Sequence, residues 1–158
     1  MGKIIPPAKP YFPPEDIEEI KKYVEVILNS GMLTLYTYTR EFESKFAELA
    51  NTKYAIATNS GTAALEIIFR TINLKPEDEV ILPTNTFSAT AATIIFAGGK
   101  PVFTDISPET LCKTAEEVQE RITSKTKAVV AVHIGGLICP EINEIREICQ
   151  DHKLILIE

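Results

Sequence analysis

The chain has 158 residues, 45% of them hydrophobic and 24% charged, and its formal net charge is −6. That balance fits one globular domain with a sizeable core and excludes a disordered chain, which would be poorer in apolar residues. The acidic excess also argues against a nucleic-acid-binding domain, where a basic patch is expected.

The first fifteen residues hold Pro6, Pro7, Pro10, Pro13 and Pro14, a spacing that predicts an extended N-terminal arm. The Pro7–Pro10 pair also matches a bare PxxP ligand pattern. Pro14-Glu15-Asp16 reads as a helix start. Ile17, Ile20, Val24, Ile27 and Leu28 then recur at helical spacing up to Gly31, a fitting stop. A polar, tyrosine-containing stretch, Thr34 to Thr39, precedes a second helix with Phe42, Phe46 and Leu49 on one face. From residue 53 strands and helices alternate. Strands are expected at 54–58, 79–83, 101–106, 128–133 and 154–157. Helices are expected at 60–72, 88–97 (ended by Gly98-Gly99), 115–122 and 141–152. Near-continuous apolar strands between amphipathic helices predict an α/β fold, a mainly parallel sheet with helices on both faces. We divide the chain into an arm and first helix, residues 1–38, and a remainder, residues 39–158.

The N-terminus lacks the apolar core and cleavage site of a signal peptide, and Pro6 stands where a myristoylation signal needs Ser or Thr. No apolar run approaches bilayer length, so no membrane partner is expected. Cys112, Cys139 and Cys149 are odd in number and lack zinc-like spacing, which suits reduced thiols in the cytoplasm.

Three segments carry candidate chemistry. Thr58-Asn59-Ser60-Gly61-Thr62-Ala63-Ala64-Leu65 follows a strand and opens a helix. Asn59 or Ser60 can cap it, and Gly61 lets a ligand approach the backbone. The amides around Thr62 and Ala63, with the Thr62 hydroxyl, can hold a phosphate at the positive helix end. A capped helix packing small residues on the sheet is the plainer reading of that segment alone. It matches neither GxGxxG nor a P-loop. Pro83-Thr-Asn-Thr-Phe87-Ser-Ala-Thr90 lies past the next strand, where Phe87 either stacks on a planar ligand or fills the core. His133-Ile-Gly135-Gly136 follows a later strand. His133 reads as a hydrogen-bonded structural histidine, and Asp105 as a turn or capping carboxylate. Because a buried strand runs up to Glu158, where parallel sheets bind ligands, the chain reads as cut there.

Taken together, these segments resemble the DegT/DnrJ/EryC1/StrS sugar aminotransferases. The likeness runs through Ile5–Ile17, Asn29–Thr34 with Arg40–Glu43, Asn59–Leu65, Asp78–Pro83 with Thr86–Thr90, Pro101–Asp105 and Val132–Gly135. Each motif is common alone; six in order are not. The resemblance implies the N-terminal part of the incomplete large domain of a fold-type-I enzyme using pyridoxal 5′-phosphate. It implies that Gly61, Thr62 and Ala63 hold the cofactor phosphate and that Phe87 stacks on its ring. It also implies an amino-acid donor, expected to be glutamate, a nucleotide-linked keto sugar as acceptor, and a homodimer when full length. The family's pyridine-pairing aspartate and Schiff-base lysine have no counterpart here, so no catalytic residue is assigned and the chain alone is expected to be inactive. In the family a glycine-containing turn follows the Leu-Thr pair, where this chain has Leu35-Tyr36-Thr37-Tyr38. The family's sheet would pair segment 54–58 with a strand beyond Glu158, so a poorly stable chain is expected. The alternatives are a non-catalytic cofactor-binding or regulatory module and an unrelated doubly wound nucleotide-binding domain.

Overall fold

The computed structural model describes residues 9–34 and 36–158. Pro6, Pro7 and the rest of the expected arm before Lys9, and Leu35, lie outside the described residues. The chain forms two compact units, one reaching Ala57 and the other running from Thr58 to Glu158.

In the first unit, α1 (Pro14–Ser30) starts where two prolines preset the backbone and two acids face the positive helix end. It stops at Gly31, whose left-handed backbone (φ 68°) lets its amide close on the Leu28 carbonyl at 3.2 Å. α2 (Thr37–Leu49) follows, and Tyr23 meets Tyr38 edge-on with ring centroids 5.4 Å apart. Both helices carry the apolar faces that their spacing predicts. Neither contains a buried residue, so Ile17, Ile20 and Val24 on α1 and Phe42, Phe46 and Leu49 on α2 stay exposed.

Residues 54–58 do not form the expected strand. A strand is defined by its ladder, and this segment has no pairing partner among the described residues. Its alternation survives all the same: Tyr54 and Ile56 are 74% and 78% exposed, while Ala55 and Ala57 are half-buried. The Ala57 amide donates to the Glu43 carboxylate at 2.8 Å.

The second unit has the expected parallel sheet. Its strands are β1 (Glu79–Pro83), β2 (Lys100–Thr104), β3 (Thr126–Val130) and β4 (Ile155–Ile157), in the order β2-β1-β3-β4. Every pairing is parallel, with Val80 opposite Pro101 and Ala128, and Val129 opposite Leu156. Helices α3 (Gly61–Ile72), α4 (Ser88–Phe96), α5 (Ala115–Arg121) and α6 (Ile142–Asp151) cover it. Side chains alternate across the pleat. Val80, Leu82, Ala128 and Val130 cluster with Phe69 of α3 and Ile94 of α4. Ile81 and Val129 cluster with Val118 of α5 and Ile142 and Ile145 of α6. Two helices therefore lie on each face, which is why β1 is buried along its whole length.

The turn after α4 shows how tightly that core is set. Gly98 takes φ 92° and donates to Ile95, and Gly99 donates to Ile94, a Schellman closure. A Cβ on Gly99, the residue before β2, would lie 2.7 Å from Leu74 Cδ1, so the buried Leu74 side chain would have to shift to admit one.

Candidate functional site

The topology of the second unit brings the candidate segments to one edge. α3 has 12 residues, about 18 Å of helix, and leads through a short turn into the start of β1. Its N-terminus therefore sits beside the carboxyl end of the strand. Phe87 lies four residues past the end of β1, at the N-cap position of α4, which packs on α3. His133 follows β3 at the same edge. Carboxyl edges are where open parallel sheets receive ligands.

At the start of α3, Ser60 is the N-cap: extended, with its Oγ accepting from the Ala63 amide at 3.1 Å. The Ser60 carbonyl accepts from Ala64 at 3.1 Å. Two first-turn amides, those of Gly61 and Thr62, then have no protein acceptor among the described residues. They point along the positive end of the helix dipole. A Cβ placed on Gly61 would meet nothing within 4 Å, so the approach to these amides is open. Thr58 Oγ1 donates to the Ser60 carbonyl at 2.9 Å and fixes the entry to the helix.

Phe87 is 76% exposed, so the core reading of this ring is excluded. The loop that carries it is held from both sides. Thr86 and Thr90 share a hydroxyl–hydroxyl bond of 2.9 Å, and the Asn85 amide donates to the Leu111 carbonyl at 3.2 Å. An exposed aromatic on a tethered loop, at the same sheet edge as unpaired amides, suits a planar, anionic ligand.

His133 is fully engaged. Its Nδ1 accepts from the Cys139 amide at 3.0 Å, which leaves the proton on Nε2, 3.2 Å from the Glu158 carboxylate. Glu158 also lies 3.3 Å from Arg146. Asp105 accepts from the amide of Ile106 at 3.2 Å, a local turn contact. No group of three His, Cys, Asp or Glu side chains able to hold a metal occurs among the described residues. Nor is any described helix long and apolar enough to cross a membrane.

Sequence reasoning overlooked two residues. Asn85 tethers the Phe87 loop, and nothing in its local pattern announces that. Lys113 is 2% exposed, and its amine has no hydrogen-bond partner. A signal for it did exist. Thr114-Ala-Glu-Glu117 is a capping-box sequence, and the Thr114 hydroxyl accepts from the Glu117 amide at 3.2 Å. Lys113 therefore stands at the position before the cap, whose side chain ordinarily packs back onto the fourth helical residue. That residue is Val118, wholly buried.

Comparison with known proteins gives a consistent result. The model of the DegT/DnrJ/EryC1/StrS aminotransferase family matches residues 14–158. GDP-perosamine synthase of Vibrio cholerae is 40% identical over 139 residues, covering 87% of this chain and 38% of that protein. The 3-oxo-glucose-6-phosphate:glutamate aminotransferase of Bacillus subtilis is 36% identical over 144 residues, covering 91% of this chain and 32% of that protein. Among solved structures, NtdA from Bacillus subtilis with bound cofactor PMP superposes with a TM-score of 0.85 at 35% identity, over 91% of this chain and 33% of that one. The chain thus spans about a third of the length of these relatives.

Proposed function

Since the chain belongs to the DegT/DnrJ/EryC1/StrS aminotransferase family, we propose that it supplies the phosphate- and ring-holding part of a pyridoxal phosphate site in a sugar aminotransferase. The observation that carries this reading is the pair of unpaired amides, Gly61 and Thr62, at the same carboxyl edge as the exposed Phe87. The resemblance named Gly61, Thr62 and Ala63 as phosphate ligands. The geometry favours Gly61 and Thr62 as immediate donors. Ala63 joins them when the Ser60 hydroxyl turns away.

The residues divide the work simply. The amides of Gly61 and Thr62 and the Thr62 hydroxyl bind the phosphate and fix one end of the ligand. The Phe87 ring covers one face of the pyridine and keeps water from it. The Asn85–Leu111 and Thr86–Thr90 bonds hold that ring in place. His133, bonded at both nitrogens, orients the turn after β3 and moves no proton. When bound, the cofactor supplies the electron sink that lets an amino group pass between two substrates. Residues 39–158 are on this reading part of the cofactor-binding large domain.

For the whole protein we propose amino transfer from an amino acid, with glutamate the first choice, to a nucleotide-linked keto sugar, by a cytoplasmic homodimer. The name GDP-perosamine synthase supports the nucleotide-linked acceptor, and that of the 3-oxo-glucose-6-phosphate:glutamate aminotransferase supports the glutamate donor. The test is to assay the longest reading frame that contains this chain. Glutamate-dependent amination of a nucleotide-linked keto sugar supports the enzyme. Cofactor binding without any turnover favours the non-catalytic module.

A further inference from the structure

Lys113 presents a problem that the site does not explain. It is almost wholly buried in the second unit, and its Nζ makes no hydrogen bond. The titratable side chains that act on it are thiols, Cys149 from α6 and Cys139 from the turn before α6. None is a carboxylate. Glu141, at the head of α6, accepts from the Ala115 amide at 2.8 Å. An ammonium in that place would be desolvated and unpaired, so the folded arrangement favours the neutral amine. Burial pushes Lys113 down to about 7 accordingly.

The loop that carries it is a closed unit. Ser107 donates its amide to the Cys112 carbonyl at 2.9 Å, and Leu111 donates to Ser107 at 2.8 Å. Leu111 sits at φ 56°, a left-handed backbone that a leucine adopts only when its surroundings enforce it. Three contacts fasten this loop to its neighbours. The Leu111 carbonyl accepts from Asn85, the Cys112 thiol reaches the Val132 carbonyl at 3.8 Å, and the Cys139 thiol reaches the Lys113 carbonyl at 3.5 Å. Two of these fasten it to the carboxyl edge, next to Phe87 and His133.

We infer that Lys113 makes the seating of the 105–114 loop proton-dependent. With a neutral amine the side chain stays in the core and the loop grips Asn85 and Val132. On protonation the long side chain swings its ammonium to water, Leu111 relaxes, and both grips are lost. The device needs no cofactor. It would nonetheless loosen the loop that carries Phe87, through Asn85.

Hydrogen exchange read by mass spectrometry tests this in the whole 158-residue chain. The wild type, Lys113→Met and Lys113→Arg are compared at about pH 6 and about pH 9, with labelling times scaled for intrinsic exchange. Between the ordinary amine value of about 10.4 and the buried value of about 7, a proton-linked opening grows about tenfold for each unit that the pH falls. Peptides over 105–114 should therefore exchange faster in wild type than in Lys113→Met at the lower pH, and that ratio should be at least about tenfold smaller at the higher. Lys113→Arg, always charged, should exchange fast at both. If that variant does not fold, the Met comparison alone decides. Equal rates in wild type and Lys113→Met at the lower pH, or a ratio that does not change with pH, would overturn the inference. So would equal loss of protection over β3, since the opening would then be global.

Discussion

Replacing Lys113 with methionine should stabilise the second unit, and the gain should fade as pH rises. The ordinary amine value is about 10.4, whereas burial brings Lys113 to about 7. Between those values the unfolded chain holds a proton that the folded chain lacks, so stability climbs with pH across that window. Below about 7 the whole cost is present, and above about 10.4 none of it is. At 1.36 kcal/mol per unit the cost at pH 7 is up to about 4 kcal/mol. The energy needed to free the loop sets the limit actually reached. Methionine keeps a flexible, unbranched stem without the charge and places an apolar group against Val118, as a hydrophobic staple requires. Urea unfolding followed by circular dichroism, at steps from about pH 6 to about pH 10, reads the difference directly. The two stability curves should converge toward the alkaline end. Parallel curves, or no gain at pH 7, would refute the assignment of Lys113 as a costly buried amine.

Four further outcomes are expected. Phe87→Ala should leave stability within about 0.5 kcal/mol, because the ring is exposed, yet weaken pyridoxamine phosphate binding in titration calorimetry. Ser60→Ala should cost about 1 kcal/mol through loss of the helix cap, seen as a lower urea midpoint. Gly99→Ala should cost about 1–3 kcal/mol, because its Cβ falls 2.7 Å from Leu74 Cδ1; thermal unfolding checks this. Changing Tyr54 and Ile56 together to threonine should reduce aggregation in light scattering without shifting the melting temperature, since both side chains are exposed and segment 54–58 is unpaired.

The parallel sheet was legible because its strands are short apolar runs between turn residues. Glu79–Pro83 is the plainest case, since burial on both faces makes Val80, Ile81 and Leu82 an unbroken apolar run between Glu79 and Pro83. The same reasoning misjudged Tyr54–Thr58. Alternation records which side chains seek cover, but a strand also needs a neighbour, and sequence near the segment says nothing about one. The apolar faces of α1 and α2 carry the same lesson: periodicity located the helices but not what buries them. Within the candidate site, the Ser60 cap of α3 was readable from a small polar residue standing just before the helical pattern. The choice for Phe87 between core and surface waited on the turn that aims it outward. Asn85 acts on Leu111, 26 positions away, a distance no local pattern spans. Lys113 was hidden for another reason. A lysine is ordinarily read as surface, and only the capping box after it marks the position as one that turns inward.

The central claim is that the first turn of α3 binds the cofactor phosphate. Amide chemical shifts of the isotope-labelled chain, titrated with pyridoxamine phosphate, test it most directly. That ligand has no aldehyde to react with surface lysines, and inorganic phosphate serves as the parallel probe. Saturable shifts should centre on Gly61 and Thr62 with both ligands, and extend to Phe87 and its neighbours only with pyridoxamine phosphate. If those amides stay unmoved while the ligand binds elsewhere, or not at all, the phosphate assignment is wrong.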